Sequence, residues 1–90
     1  MRQTITLTIT HPTGLHARPA ALFVQTASRF RSQIEVTANG KTVNAKSMMA
    51  VLSLGARQGT QLEVAAEGDD ASEALAALRE LVESNFGEGS

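Results

Sequence analysis

The chain has 90 residues, 42% of them hydrophobic and 19% charged, with a formal net charge of −1 and no cysteine. This suits one small folded domain with a single core; it excludes nucleic-acid binding through a basic field, and disulfides, thiol chemistry and thiolate metal sites. No apolar run approaches the ~20 residues of a membrane span, and the N-terminus alternates with threonine instead of forming a signal-peptide core, so a cytoplasmic protein without direct membrane insertion is expected.

Thr4 to Thr10 alternates strictly between threonine and aliphatic residues, which predicts a strand with one buried face. His11-Pro12-Thr13-Gly14 breaks it. From Ala17 to Ser28, Ala20, Phe23, Val24 and Ala27 recur at helical spacing. Ile34, Val36 and Ala38 alternate with polar residues and predict a second strand. Asn39-Gly40 is a two-residue hairpin signal, followed by a short strand from Lys41 to Asn44. Ser47 suits the N-cap of a short helix, Met48 to Leu54, which Gly55 can end. Leu62, Val64 and Ala66 predict a fourth strand. Asp70 with Glu73 resembles a capping box, opening a last helix whose apolar stripe is Ala71, Ala74, Leu75, Leu78, Leu81 and Val82. Residues 87–90 read as a frayed tail. The order β-α-β-β-α-β-α predicts an α+β, two-layer open-faced sandwich: a four-stranded, largely antiparallel sheet covered on one face by three helices, with the threonine face of the first strand in water. No internal repeat or linker interrupts it, so residues 1–90 are read as a single domain.

The residues with most chemical content are Gly14-Leu15-His16-Ala17-Arg18-Pro19-Ala20. They put His16 where a strand-like segment gives way to a helix. A helix N-terminus offers unpaired amides and about half a positive charge, which favour a bound anion. An ordinary imidazole is mostly neutral near pH 7 and can act as a nucleophile. Arg18 supplies a planar fork that can bind two phosphoryl oxygens. Pro19 needs no more than a structural role in the first turn, where its missing N–H is not used.

Met48 and Met49 point about 100° apart on a helix, so both cannot lie on one buried stripe; Val51 and Leu54 are the better core candidates. An exposed methionine surface adapts to unlike partners. His11 reads as a surface residue. Two histidines without cysteine or a carboxylate cluster make a poor metal site, and no metal or other cofactor is expected. Asp69, Asp70 and Glu73 read as a helix start rather than paired catalytic carboxylates, and no glycine-rich phosphate loop for ATP occurs.

The heptapeptide at 14–20 and the run Asn44-Ala45-Lys46-Ser47-Met48-Met49-Ala50-Val51-Leu52-Ser53-Leu54-Gly55 resemble HPr, the histidine-containing phosphocarrier family of the bacterial phosphoenolpyruvate-dependent sugar phosphotransferase system. The resemblance covers essentially the full chain, and the two motifs together are highly specific. It implies that His16 is phosphorylated on a ring nitrogen, usually Nδ1, by enzyme I, and passes the group to enzyme IIA domains of sugar transporters. It implies that Arg18 neighbours the phosphate, and that Ser47 aligns with a serine modified in some bacteria by an HPr serine kinase/phosphorylase. Ala21 and Gln25 of the first helix, with Met48, Met49 and Leu52 of the second, match partner-contacting positions. Such a protein is a relay carrier rather than a stand-alone catalyst, and a monomer is expected.

Ser47 has a sufficient structural explanation as an N-cap, so its regulatory role rests on the resemblance. Other readings fit less of the sequence. A regulatory docking module acting through Ser47 would leave His16 unused, and a ferredoxin-like sensing domain would need a ligand pocket for which no signal exists. The nitrogen-related branch of the same relay stays open, because the branches differ in partners.

Overall fold

The computed structural model describes residues 2–87. The threonine alternation forms β1 (Arg2–Thr8), which starts two residues before the predicted Thr4 and ends at Thr8 instead of Thr10; its Thr4, Thr6 and Thr8 are exposed while Leu7 is buried. It is followed by α1 (Ala17–Ser28), β2 (Gln33–Ala38), β3 (Lys41–Asn44), α2 (Met48–Leu52), β4 (Gln61–Glu67), α3 (Ala71–Glu83) and a closing turn, Asn85–Gly87. The four strands form one sheet in the order β1-β4-β2-β3 with every pairing antiparallel. Register brings apolar residues into rows: Leu7 faces Leu62, and Ile5 and Val36 flank Val64. Helices cover that face, giving the open-faced α+β sandwich expected.

Between sheet and helices lies one core. The sheet contributes Leu7, Ile34, Val36, Leu62 and Val64; α1 contributes Ala20, Phe23 and Ala27; α3 contributes Ala74, Leu75, Leu78 and Val82. Val51 and Leu54 join it, as their spacing predicted. Leu78 has no exposed surface, so truncating it to alanine would cost about 2–5 kcal/mol. The Asn39-Gly40 hairpin closes with φ of 53° and 78°, the left-handed pair that a two-residue loop between twisted strands requires.

Three local expectations need correction. The second helix stops at Leu52, with Ser53 as its C-cap, rather than running to Leu54. Asp70 is the N-cap residue of α3 but makes no side-chain capping bond, so no capping box forms with Glu73. Its carboxylate instead accepts from the backbone N–H of Arg31 (2.8 Å), the N–H of Ser32 (2.9 Å) and the Ser32 hydroxyl (2.6 Å). Three donors from the α1–β2 loop outcompete the helix's own amides for the carboxylate. Finally, Gly87 belongs to the closing turn through its N–H bond to the Ser84 carbonyl (3.1 Å); the remainder of the 87–90 tail lies outside the described residues.

Candidate functional site

His16 stands at the N-cap of α1 with extended backbone (φ −87°, ψ −168°), and its side chain makes no capping bond to the helix. The imidazole is exposed, leaving it available to a partner. The first intrahelical bond runs from the Ala20 N–H to the His16 carbonyl (2.9 Å). Amides before it, that of Ala17 among them, have no acceptor within the helix. Pro19 subtracts one donor from this turn and is buried against the core, while Arg18 is exposed. An exposed imidazole, an arginine two residues on and a helix terminus are the groups that chemistry on a phosphoryl-sized anion would need.

The loop that delivers His16 is held tightly. Gly14 takes φ +69°, and its N–H donates to the His11 carbonyl at 3.0 Å. The Leu15 N–H donates to the Ala56 carbonyl at 2.9 Å, and the Leu15 side chain is buried in the core. Further back, Ile9 exchanges backbone bonds with the 59–60 turn: its N–H donates to the Thr60 carbonyl (2.9 Å) and its carbonyl accepts from Gly59 (2.7 Å). Gln58 adds a side-chain bond to the Thr10 carbonyl at 3.2 Å. The sequence marked Gly14 and Gly59 only as turns; the bonds from Ile9 and Leu15 to the 56–60 segment were not legible.

His11 is the principal departure from the sequence reading. It is not a surface residue: it is 8% exposed. Its Nδ1 accepts from the Thr13 N–H (3.3 Å) and lies 2.8 Å from the Thr13 hydroxyl. Its ring lies 5.7 Å, centre to centre, from that of His16 and 6.2 Å from that of Phe86. A histidine next to proline in a loop carries no local sign of burial; the covering Phe86 comes from the other end of the chain.

The second motif forms the neighbouring surface. Ser47 caps α2, its hydroxyl accepting from the Ala50 N–H at 3.3 Å. Met49 is 79% exposed, whereas Met48 and Leu52 are half-buried and pack on the core edge. The two helices α1 and α2 pack against one another, and α1 carries half-buried Ala21 and exposed Gln25. Lys46 ties α2 to the end of α1 through its Nζ bond to the Phe30 carbonyl (2.7 Å), and Asn39 holds the other end through the Leu54 carbonyl (3.0 Å). Five residues are too few for a self-sustaining helix, so these tertiary ties fix the patch. No helix among the described residues is long and apolar enough to cross a membrane.

These features define a small α+β domain presenting one histidine at a helix start beside an apolar-edged helix pair. The sequence profile of the phosphotransferase-system HPr component phosphorylation site matches residues 3–84. The chain is 48% identical over 82 residues to the phosphocarrier protein HPr of Xylella fastidiosa, covering 91% of this chain and 92% of that one. Among solved structures it is similar to an HPr from Thermoanaerobacter tengcongensis, with 57% identity, a TM-score of 0.94, and 98% and 99% of the two chains covered. It is also similar to an HPr dimer from the same organism, with 60% identity, a TM-score of 0.78, and 93% and 97% covered. The chain belongs to the HPr family of phosphocarrier proteins of the phosphotransferase system.

Proposed function

We propose that the chain carries phosphoryl groups on His16, taking them from phospho-enzyme I and donating them to enzyme IIA domains for sugar uptake. The observation that supports this most directly is the exposed imidazole at the start of α1, unused in capping and followed by Arg18. In the transfer, one neutral ring nitrogen of His16 attacks phosphorus. A new P–N bond forms as the P–N bond to the enzyme I histidine breaks, and that leaving imidazole keeps the electron pair. Amides at the helix start then receive phosphoryl oxygens, and Arg18 offsets charge in the transition state. The product P–N bond keeps the group reactive enough to move on.

Partners dock on the surface formed by Ala21, Gln25, Met48, Met49 and Leu52. A flexible methionine at the exposed centre suits several unlike partners. Such contacts are small and transient, so the relay turns over. Ser47 is the regulatory position, available to a serine kinase/phosphorylase. A phosphate there sits at a helix terminus that tolerates negative charge, yet places that charge within the docking surface. We read residues 1–90 as one domain acting as a monomer in the cytoplasm. Incubation with phosphoenolpyruvate and enzyme I tests the carrier: one added phosphate on the wild type, none on His16→Ala.

A further inference from the structure

We propose that His11 is a positioning residue for His16: its buried ring restrains the acceptor imidazole so that one nitrogen is presented to the incoming phosphorus. The inference rests on the carrier reading of His16 for its chemistry and on separate geometry for the restraint.

The two rings are 5.7 Å apart at 58°, within the range of about 4.5–7 Å over which aromatic pairs interact. His11 is itself held from two further sides. Phe86 meets it nearly edge-on at 6.2 Å and 70°. Thr13 fixes its Nδ1 through an amide at 3.3 Å and a hydroxyl at 2.8 Å. An amide can only donate, so Nδ1 holds a lone pair and the ring proton sits on Nε2. Flipping the ring would forfeit both Thr13 contacts.

The fold goes to some length to put Phe86 there. Asn85, Phe86 and Gly87 have φ of 55°, 58° and 77°, a left-handed run that residues other than glycine rarely adopt. Phe86 is 4% exposed, and the turn is tied to the same loop by the Thr10 hydroxyl donating to Asn85 Oδ1 at 2.6 Å. The series Phe86, His11, His16 therefore runs from the closing turn to the site.

An unrestrained surface imidazole rotates about χ1 and χ2, and turning about χ2 exchanges the nitrogen that faces outward. Phosphoryl transfer depends mostly on positioning. A ring packed on one side of His16 removes part of that rotation before the partner arrives. His11 gives up no proton and forms no bond in the transfer itself.

The test compares wild type with His11→Ala, His11→Gln and His11→Phe, all ¹⁵N-labelled and shown to be folded by circular dichroism. His11→Gln keeps a polar acceptor without a ring; His11→Phe keeps a ring without the acceptor. Two quantities are read: the order and tautomer ratio of the unmodified His16 ring, and the rate and nitrogen position of phosphorylation by phospho-enzyme I. We expect Ala and Gln to loosen the His16 ring, to slow uptake about ten-fold and to yield both phosphohistidine isomers; a 1 Å misplacement can cost roughly a hundred-fold. Phe restores a single isomer and most of the rate. Unchanged ring order and rate in His11→Ala, or a His11→Phe as impaired as His11→Ala, would overturn the proposal. A wild type that takes no phosphate, but whose His16 ring loosens in His11→Ala, would defeat the carrier reading and leave the restraint standing.

Discussion

Gly14 and Ala56 approach so closely that a β-carbon on Gly14 would stand 2.6 Å from the Ala56 carbonyl oxygen. The same carbon would lie 2.8 Å from the Arg57 Cα. Both neighbours are backbone and cannot swing away, and Gly14 also sits at φ +69°. Gly14→Ala therefore combines left-handed strain with a clash, which together should destabilise the fold by at least about 2 kcal/mol. Urea unfolding should show a lower midpoint. Because the Leu15–Ala56 bond lies in the same contact, phosphate uptake on His16 should slow even where the variant stays folded.

Arg18 should matter to transfer. Its side chain is exposed on the first turn of α1. Arg18→Ala should slow transfer by at least about ten-fold, measured on protein shown to be folded at the assay temperature. Arg18→Lys should recover only part of the rate, because an ammonium lacks the planar fork. Stopped transfer assays at matched enzyme I concentration read both rates.

Ser47 separates two roles in one side chain. Removing the hydroxyl that accepts from Ala50 should cost about 1 kcal/mol in Ser47→Ala, with transfer preserved. Ser47→Asp keeps a competent cap and adds charge at a favourable helix end. Its stability should stay near wild type while its KM for enzyme I rises, since the charge falls beside exposed Met49. Equal KM values for wild type and Ser47→Asp would show that the α2 surface takes no part in docking.

Asp70 makes the fold sensitive to acid. The Ser32 hydroxyl and then the Arg31 amide hold its carboxyl at about 2, below the ordinary 3.8. A carboxyl depressed in the folded state contributes stability that is present above the ordinary value and is lost as pH falls through the folded one. Urea midpoints of the wild type should therefore drop between about pH 4 and pH 2. Asp70→Asn should be less stable at neutral pH and should lack that share of the acid dependence; parallel curves for both proteins would assign the acid loss elsewhere.

The elements themselves were legible because each follows a local period. The threonine alternation gave the first strand and its wet face, though the strand runs Arg2–Thr8 and not Thr4 to Thr10; Ala17 to Ser28 gave the first helix to its last residue, and Asn39-Gly40 the hairpin. Val51 was separable from Met49 by helical angle, while Leu54, buried as expected, lies beyond the end of α2. What escaped were contacts between residues far apart in sequence. Asp70 and Glu73 satisfy a capping pattern locally, but Asp70 is claimed by loop donors 38 and 39 positions away. His11 has loop neighbours, yet is buried by Phe86 from a left-handed turn that no periodicity announces. The acceptor candidate was visible because His16 sits at a sequence boundary; its surroundings were not.

Intact mass shows whether His16 carries the phosphoryl group. Wild type and His16→Ala are each incubated with phosphoenolpyruvate and a bacterial enzyme I. Wild type should gain one phosphate, labile to acid and stable to base as a phosphohistidine is, and the variant none. Because the imidazole is exposed and makes no capping bond, the variant should stay folded, losing at most the His11 ring contact, about 0.5–1.5 kcal/mol. Phosphate appearing on folded His16→Ala, or failing to appear on wild type with a competent enzyme I, would show that His16 is not the carrier.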